Sequence, residues 1–253
     1  MTTQSATLGT PLPGGLNWQW ELPRRTDRRV VELAGAPVRC MHQLRQVDRF
    51  TSTTTNGFAV RGRYELAERL LDQLWTLLVH PLLAEVDSVR EVRFTVPASL
   101  SRLPITTARD ATSGQSLVHC VEPVVQWSVH KRDPERTTGK PQVVRLDGHF
   151  RDIAARVARM RLERGTTLLL FGCRTAELLP LVAAAGADAA VVTSWDVEDR
   201  HCSQFGQEVV DRLDAGLSTA AAVRSVQALW SHRHPYEWAG YSAVEFVAGG
   251  VRR

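Results

Sequence analysis

Residues Thr166 to Glu177 read TTLLLFGCRTAE: an uncharged apolar run with little alternation that ends on Gly172 and Cys173 and then turns polar. A run of this kind reads as a strand buried on both faces, the pattern of a parallel sheet covered by helices. Such sheets carry their chemistry at the carboxyl ends of the strands, and Cys173 stands there. A free thiol has a pKa near 8.5 and attacks as the thiolate, so a cysteine placed like a nucleophile calls for a base beside it.

The stretches around this strand have the same character. Upstream lie EVRFTVP at Glu91, SLVHCV at Ser116, VVQWSVH at Val124 and QVVRL at Gln142; downstream lie AAVVTSWD at Ala189 and SAVEFVAG at Ser242, all strand-like. Helical patterns interleave the later ones at Phe150 to Arg164, Ala176 to Ala185, Phe205 to Leu213 and Ser218 to Trp230, with Ser218 as the expected N-cap. Strands alternating with helices predict an α/β fold with a mostly parallel sheet covered on both faces. Nearer the start, RRVVEL at Arg28 to Leu33 suggests a hairpin or edge strands. RYELAERLLDQLWTLLVHPLL from Arg63 repeats leucines at helical spacing and is expected to stop near Pro81. The organisation expected is a flexible tail over residues 1–17 and a single domain over 18–253, with strands and a helix in 18–90 and the core in 91–250.

Composition narrows the function classes. With 253 residues, 43% hydrophobic and 23% charged, the chain can bury one large core. The net charge of +4 is spread along the chain, so no nucleic-acid partner is expected. Cys40, Cys120, Cys173 and Cys202 show neither CxxC spacing nor a disulfide density, and the first 30 residues lack a leader pattern; the expectation is a reduced, cytoplasmic protein. No apolar segment approaches the roughly 20 residues that span a bilayer, so no membrane partner is expected either. His232 and His234 with Cys202 lack a matched second pair of ligands, so no metal is predicted.

Two further places bear on the chemistry of Cys173. His130 closes VVQWSVH; if that strand neighbours TTLLLFGC, the imidazole and the thiol emerge on one edge of the sheet. Ser194, Trp195 and Asp196 end the strand after that of Cys173, where backbone could lie beside an extended peptide and Asp196 or Asp199 could face a basic side chain.

LLLFGCRTAE at Leu168 to Glu177 resembles the strand and cysteine turn of the CHAT proteases, caspase-like peptidases of clan CD related to caspases and separase. SWDVEDR at Ser194, HPYEWAGYSAVEFVAG at His234 and VRFTVPASLSRLP at Val92 are similar to further segments of that family, in the same order. The resemblance covers most of residues 63 to 250. It implies a caspase-like three-layer α/β/α sandwich with a mostly parallel central sheet, and a cysteine endopeptidase with Cys173 as nucleophile and His130 as general base. Amides at Cys173 and just after His130 would hold the oxyanion. It also implies no metal or organic cofactor, a protein or peptide substrate, and room for a separate regulatory or sensor protein as partner, in a bacterial defence or regulatory setting. Two positions depart from the family: Gln126 stands where a histidine is frequent, and Lys131 where a glycine follows the catalytic histidine. The stretch before VVQWSVH is also shorter than is usual. This leaves two alternatives open: VVRLDGHF as the histidine strand with His149 as the base, and a catalytically silent relative that acts by binding a protein.

Overall fold

The chain enters through three strands, β1 (Gln4–Leu12), β2 (Gly15–Glu21) and β3 (Val30–Glu32), followed by helices α1 (Ala36–Ser52) and α2 (Gly57–Leu74). A π-turn, Trp75–Val79, joins α2 to α3 (His80–Leu83). Then come β4 (Glu91–Thr95), α4 (Leu117–Cys120), β5 (Glu122–Val129), β6 (Gln142–Asp147), α5 (Phe150–Val157), β7 (Thr166–Phe171), α6 (Leu179–Ala185) and β8 (Ala189–Thr193). Helices α7 (Asp199–Asp214), α8 (Thr219–Trp230) and α9 (Pro235–Trp238) precede the last strand, β9 (Tyr241–Ala248). The computed structural model describes residues 4–12, 15–21, 30–32, 36–52, 57–83, 91–95, 100, 102–129 and 142–248.

Among the described residues these strands form one sheet in the order β3-β2-β1-β4-β5-β9-β8-β7-β6. Pairing is antiparallel through β3, β2 and β1, parallel from β1 through β4 and β5 to β9, antiparallel between β9 and β8, and parallel again through β7 to β6. The expected mostly parallel α/β architecture is the one found.

The reason lies in β7 and β8, every residue of which is buried. A strand apolar on both sides needs a helix layer on each face. The crossovers β6-α5-β7 and β7-α6-β8 step the same way along the sheet, and their right-handedness puts α5 and α6 on one face, in contact. Side chains alternate along a strand, and Phe171 points the other way, onto Gly206 of α7. On that second face α7 packs on α8, and α8 reaches β5, β8 and β9. Phe205 stacks on Tyr241 with ring centroids 3.9 Å apart and meets Trp230 edge-on, giving this layer an aromatic centre. Ser218 caps α8 as expected, accepting from the Ala221 amide at 3.2 Å.

Several expectations are corrected. Residues 4–12 are not a tail: β1 pairs with β2 on one side and β4 on the other. SLVHCV is not a strand; Ser116 and His119 form a capping box that starts the short helix α4. The helix through Leu70 and Leu74 does end near Pro81 as expected, at Leu83, after a π-turn that leaves the proline in the first turn of α3, where its missing N–H is tolerated. The strands of His130 and Cys173 are also not neighbours: β9 and β8 stand between β5 and β7.

Candidate active site

Strands β6 and β7 run side by side in an unbroken parallel register from Gln142↔Thr166 to Asp147↔Phe171. One residue further the two chains still touch, because the Gly148 amide donates to the Phe171 carbonyl at 3.3 Å. Gly148 has φ 134°, a conformation that favours glycine, and Gly172 lies so close to the Gly148 carbonyl and the Ile153 side chain that a Cβ there has no space. The next residues are His149, exposed at the start of α5, and Cys173, half-buried. An imidazole and a thiol therefore leave adjoining strand tips on the same edge of the sheet.

The turn that carries Cys173 is held from the neighbouring strand end. Arg174 has φ 54°, alone among the described non-glycine residues in being positive. Its amide donates to the Trp195 carbonyl at 3.2 Å and its guanidinium Nε lies 3.2 Å from Asp196 Oδ1. Arg102 reaches the same segment from a distant part of the chain: it donates to the Ser194 carbonyl at 3.0 Å and pairs with Glu177 at 3.1 Å. Tyr236 Oη donates to the Asp196 carbonyl at 2.6 Å.

The Cys173 Sγ donates to the Val197 carbonyl at 3.8 Å. Burial, and then the Asp196 and Asp199 carboxylates, hold its thiol above the ordinary value, so at rest it keeps its proton. Cys202, on the first turn of α7, is pushed by burial up to about 12 and behaves as an apolar core residue. Asp147, Gly148, His149, Phe171, Asp199 and Cys202 line much of a cleft of about 340 Å³, whose lining includes His149 but not Cys173. Arg145 closes one wall, paired with Asp147 at 2.9 Å and lying 5.2 Å over the Phe171 ring. Among the described residues no group of three His, Cys, Asp or Glu side chains forms a cage for a metal ion.

The sequence-predicted residues divide as follows. Cys173 stands on the sheet edge expected of it, with His149 at the adjoining tip. His130 and Lys131 lie outside the described residues. Strand β5, which leads to His130, is parallel to β9 and so antiparallel to β7. Its last residue, Val129, pairs with Ala248, seven residues along β9 from the Tyr241 end where β8 finishes, which is about 20 Å at ordinary strand rise. Gln126 sits mid-strand and donates to Glu245 at 3.4 Å.

Trp195 and Ser194, expected beside a substrate, are both buried. Trp195 is wholly enclosed, its Nε1 donating to the Tyr236 carbonyl at 3.1 Å. Ser194 is buried, its amide donating to the Gly240 carbonyl at 2.8 Å and its carbonyl accepting from Arg102, so both of its backbone groups are engaged within the chain. Asp196 is half-buried and Asp199 exposed, both close to the thiol. Arg102, Arg174, Thr193 and Tyr236 escape sequence reading, since nothing in a linear pattern marks a partner 40 or 92 residues away.

Residues 148–246 match the CHAT domain family. The CHAT segment runs from the Gly148 turn into β9 and holds His149, Cys173, Asp196 and Asp199; His130 lies upstream of it. CHAT domains are caspase-like, in a clan of cysteine proteases, which agrees with a cysteine at the end of a buried parallel strand. No curated protein matches the chain. Among the described residues no helix is long and apolar enough to cross a membrane.

A pH response of the CHAT segment follows from α9. His234 Nδ1 accepts from the Tyr236 amide at 3.2 Å, capping α9, while the ring stacks on Tyr64 and Nε2 lies 3.5 Å from Glu68. Burial lowers its pKa below the ordinary 6.5, outweighing the Glu68 and Glu237 carboxylates; Arg109 adds to the lowering. The unfolded chain therefore takes up this proton first, so the stability this site contributes is present above about pH 6.5 and is lost as pH falls through the lower folded value. The difference in Tm between pH 7.5 and pH 5 is expected to shrink in His234→Asn, which caps without titrating, and an undiminished difference would refute the assignment.

Proposed function

We propose that this protein is a caspase-like cysteine peptidase in which Cys173 is the nucleophile and His149 the general base, acting on a protein or peptide substrate. The observation that carries the reading is the adjoining exit of the two side chains from β6 and β7. The Cys173 proton passes to the imidazole and sulfur forms a bond to the substrate carbonyl carbon. The imidazolium then protonates the leaving amine as the C–N bond breaks, and water hydrolyses the thioester. A thiol held protonated by burial and two carboxylates needs such a base, and a substrate that covers Asp196 and Asp199 with positive charge would ease its ionisation.

A peptide acyloxymethyl ketone is expected to label wild-type protein at Cys173, to fail with Cys173→Ala, and to react about a hundredfold more slowly with His149→Ala. His130→Ala is expected to match wild type; a loss there with none in His149→Ala would transfer the base role to His130. A second reading, a silent CHAT-like protein that binds a partner, is favoured by the raised thiol and by Gln126 and Lys131. Wild-type protein unlabelled at Cys173 would select it.

A further inference from the structure

We propose that Thr175 and Thr193 are positioning residues that fix the Cys173 turn through a reciprocal hydroxyl clasp; this rests on the peptidase reading and deepens it. Strand β8 pairs with β7 only as far as Leu169↔Val191, and beyond that point the two chains diverge around the turn. The groups a ladder would have satisfied are taken up by two fully buried threonines. The Thr175 hydroxyl donates to the Leu170 carbonyl at 3.0 Å and accepts from the Thr193 amide at 2.9 Å. In return the Thr193 hydroxyl donates to the Gly172 carbonyl and accepts from the Thr175 amide at 3.1 Å.

A hydroxyl has one proton and two lone pairs, so the Thr175 side chain spends its donor on β7 and an acceptor site on β8, while the Thr193 side chain, reaching over from β8, spends both on the Cys173 turn. The anchored groups, at Leu170, Gly172 and Thr175, bracket Cys173 and Arg174. Between them the chain has no slack, and Arg174 is held in its left-handed conformation. Removing either hydroxyl leaves a buried carbonyl and a buried amide without partners, and the turn must move to find others.

The consequence is a pair of effects with opposite sign. A turn released from the clasp aims the sulfur poorly at a bound carbonyl but admits small reagents more freely to a thiol that is otherwise half-buried. The test uses the full chain as wild type, Thr175→Val, which keeps the shape without the hydroxyl, and Thr175→Ser, which keeps the hydroxyl. With the peptide acyloxymethyl ketone, Thr175→Val is expected to lower the inactivation rate constant at least tenfold with the inhibitor affinity within twofold of wild type. With iodoacetamide, labelling of Cys173 relative to the exposed Cys120 is expected to rise at least threefold. Thr175→Ser is expected to stay within twofold of wild type on both measures.

A Thr175→Val protein with wild-type values, or a Thr175→Ser protein as impaired as Thr175→Val, would overturn the clasp. If the ketone fails to label even wild type, the peptidase reading falls while the iodoacetamide ratio still decides the clasp, an unchanged ratio refuting it. Should Thr175→Val not fold, Thr175→Ala and Thr193→Val carry the same two measurements.

Discussion

Gly172→Ala is expected to cost about 3 kcal/mol of stability and to lower Tm by roughly 10 °C, measured by thermal unfolding followed by circular dichroism. Added at Gly172, a Cβ falls well under 3.0 Å from the Gly148 carbonyl and from Ile153 Cδ1. The first of these is backbone and cannot rotate away. It belongs to a turn that is itself constrained, since Gly148 holds φ 134° and donates to Phe171. Relief therefore means separating the tips of β6 and β7, which are the elements that bring His149 towards Cys173. The substitution is expected to reduce peptide-probe labelling at temperatures where the variant is still folded. Wild-type Tm with wild-type labelling would show that the close approach of the two turns is not required.

How much of this could be read from the chain depends on how local each signal is. Strands β7 and β8 were legible because burial on both faces writes itself as an uninterrupted apolar run. Helix α8 was legible because Ser218 supplies a cap ahead of an apolar-rich stretch. Helix α1 is not legible in the sequence: only Cys40, Leu44 and Val47 are its described buried apolar residues, a stripe too thin to stand out among the polar positions between them. Strand β1 reads as tail in the sequence because its residues favour no structure alone, and its strand form depends on β2 and on β4, more than eighty residues away.

Strand order is the most distant signal of all. Periodicity states that a segment is a strand and is silent on its neighbour, so VVQWSVH could be recognised as β5 without any indication that it pairs with β9. The same limit governs the candidate site. Cys173 was legible because it ends an apolar run, whereas the groups that hold its turn, Thr193, Arg102 and Tyr236, are brought there only by folding.

Trp195→Ala is expected to destabilise the protein by about 4 kcal/mol, the usual range for truncating a buried large aromatic residue. The indole has no exposed surface, stacks on Tyr236 with ring planes 8° apart, and is packed so tightly against Gly240 that a Cβ on that glycine would collide with it. Trp195→Phe separates two contributions, since it keeps most of the volume but leaves the Tyr236 carbonyl without the indole donor; about 1 kcal/mol is expected for that loss. The comparison also decides between two roles for the residue. A substrate contact would be revealed by weaker peptide-probe affinity at unchanged Tm. A packing residue beneath the site would be revealed by a lowered Tm, with probe affinity nearly normal in whatever fraction stays folded. Because Trp195 offers its carbonyl to Arg174 and its ring to Tyr236, which in turn bonds the Asp196 carbonyl, the second pattern is the one expected. Its side chain supports the floor on which the Cys173 turn and the Asp196 carboxylate rest.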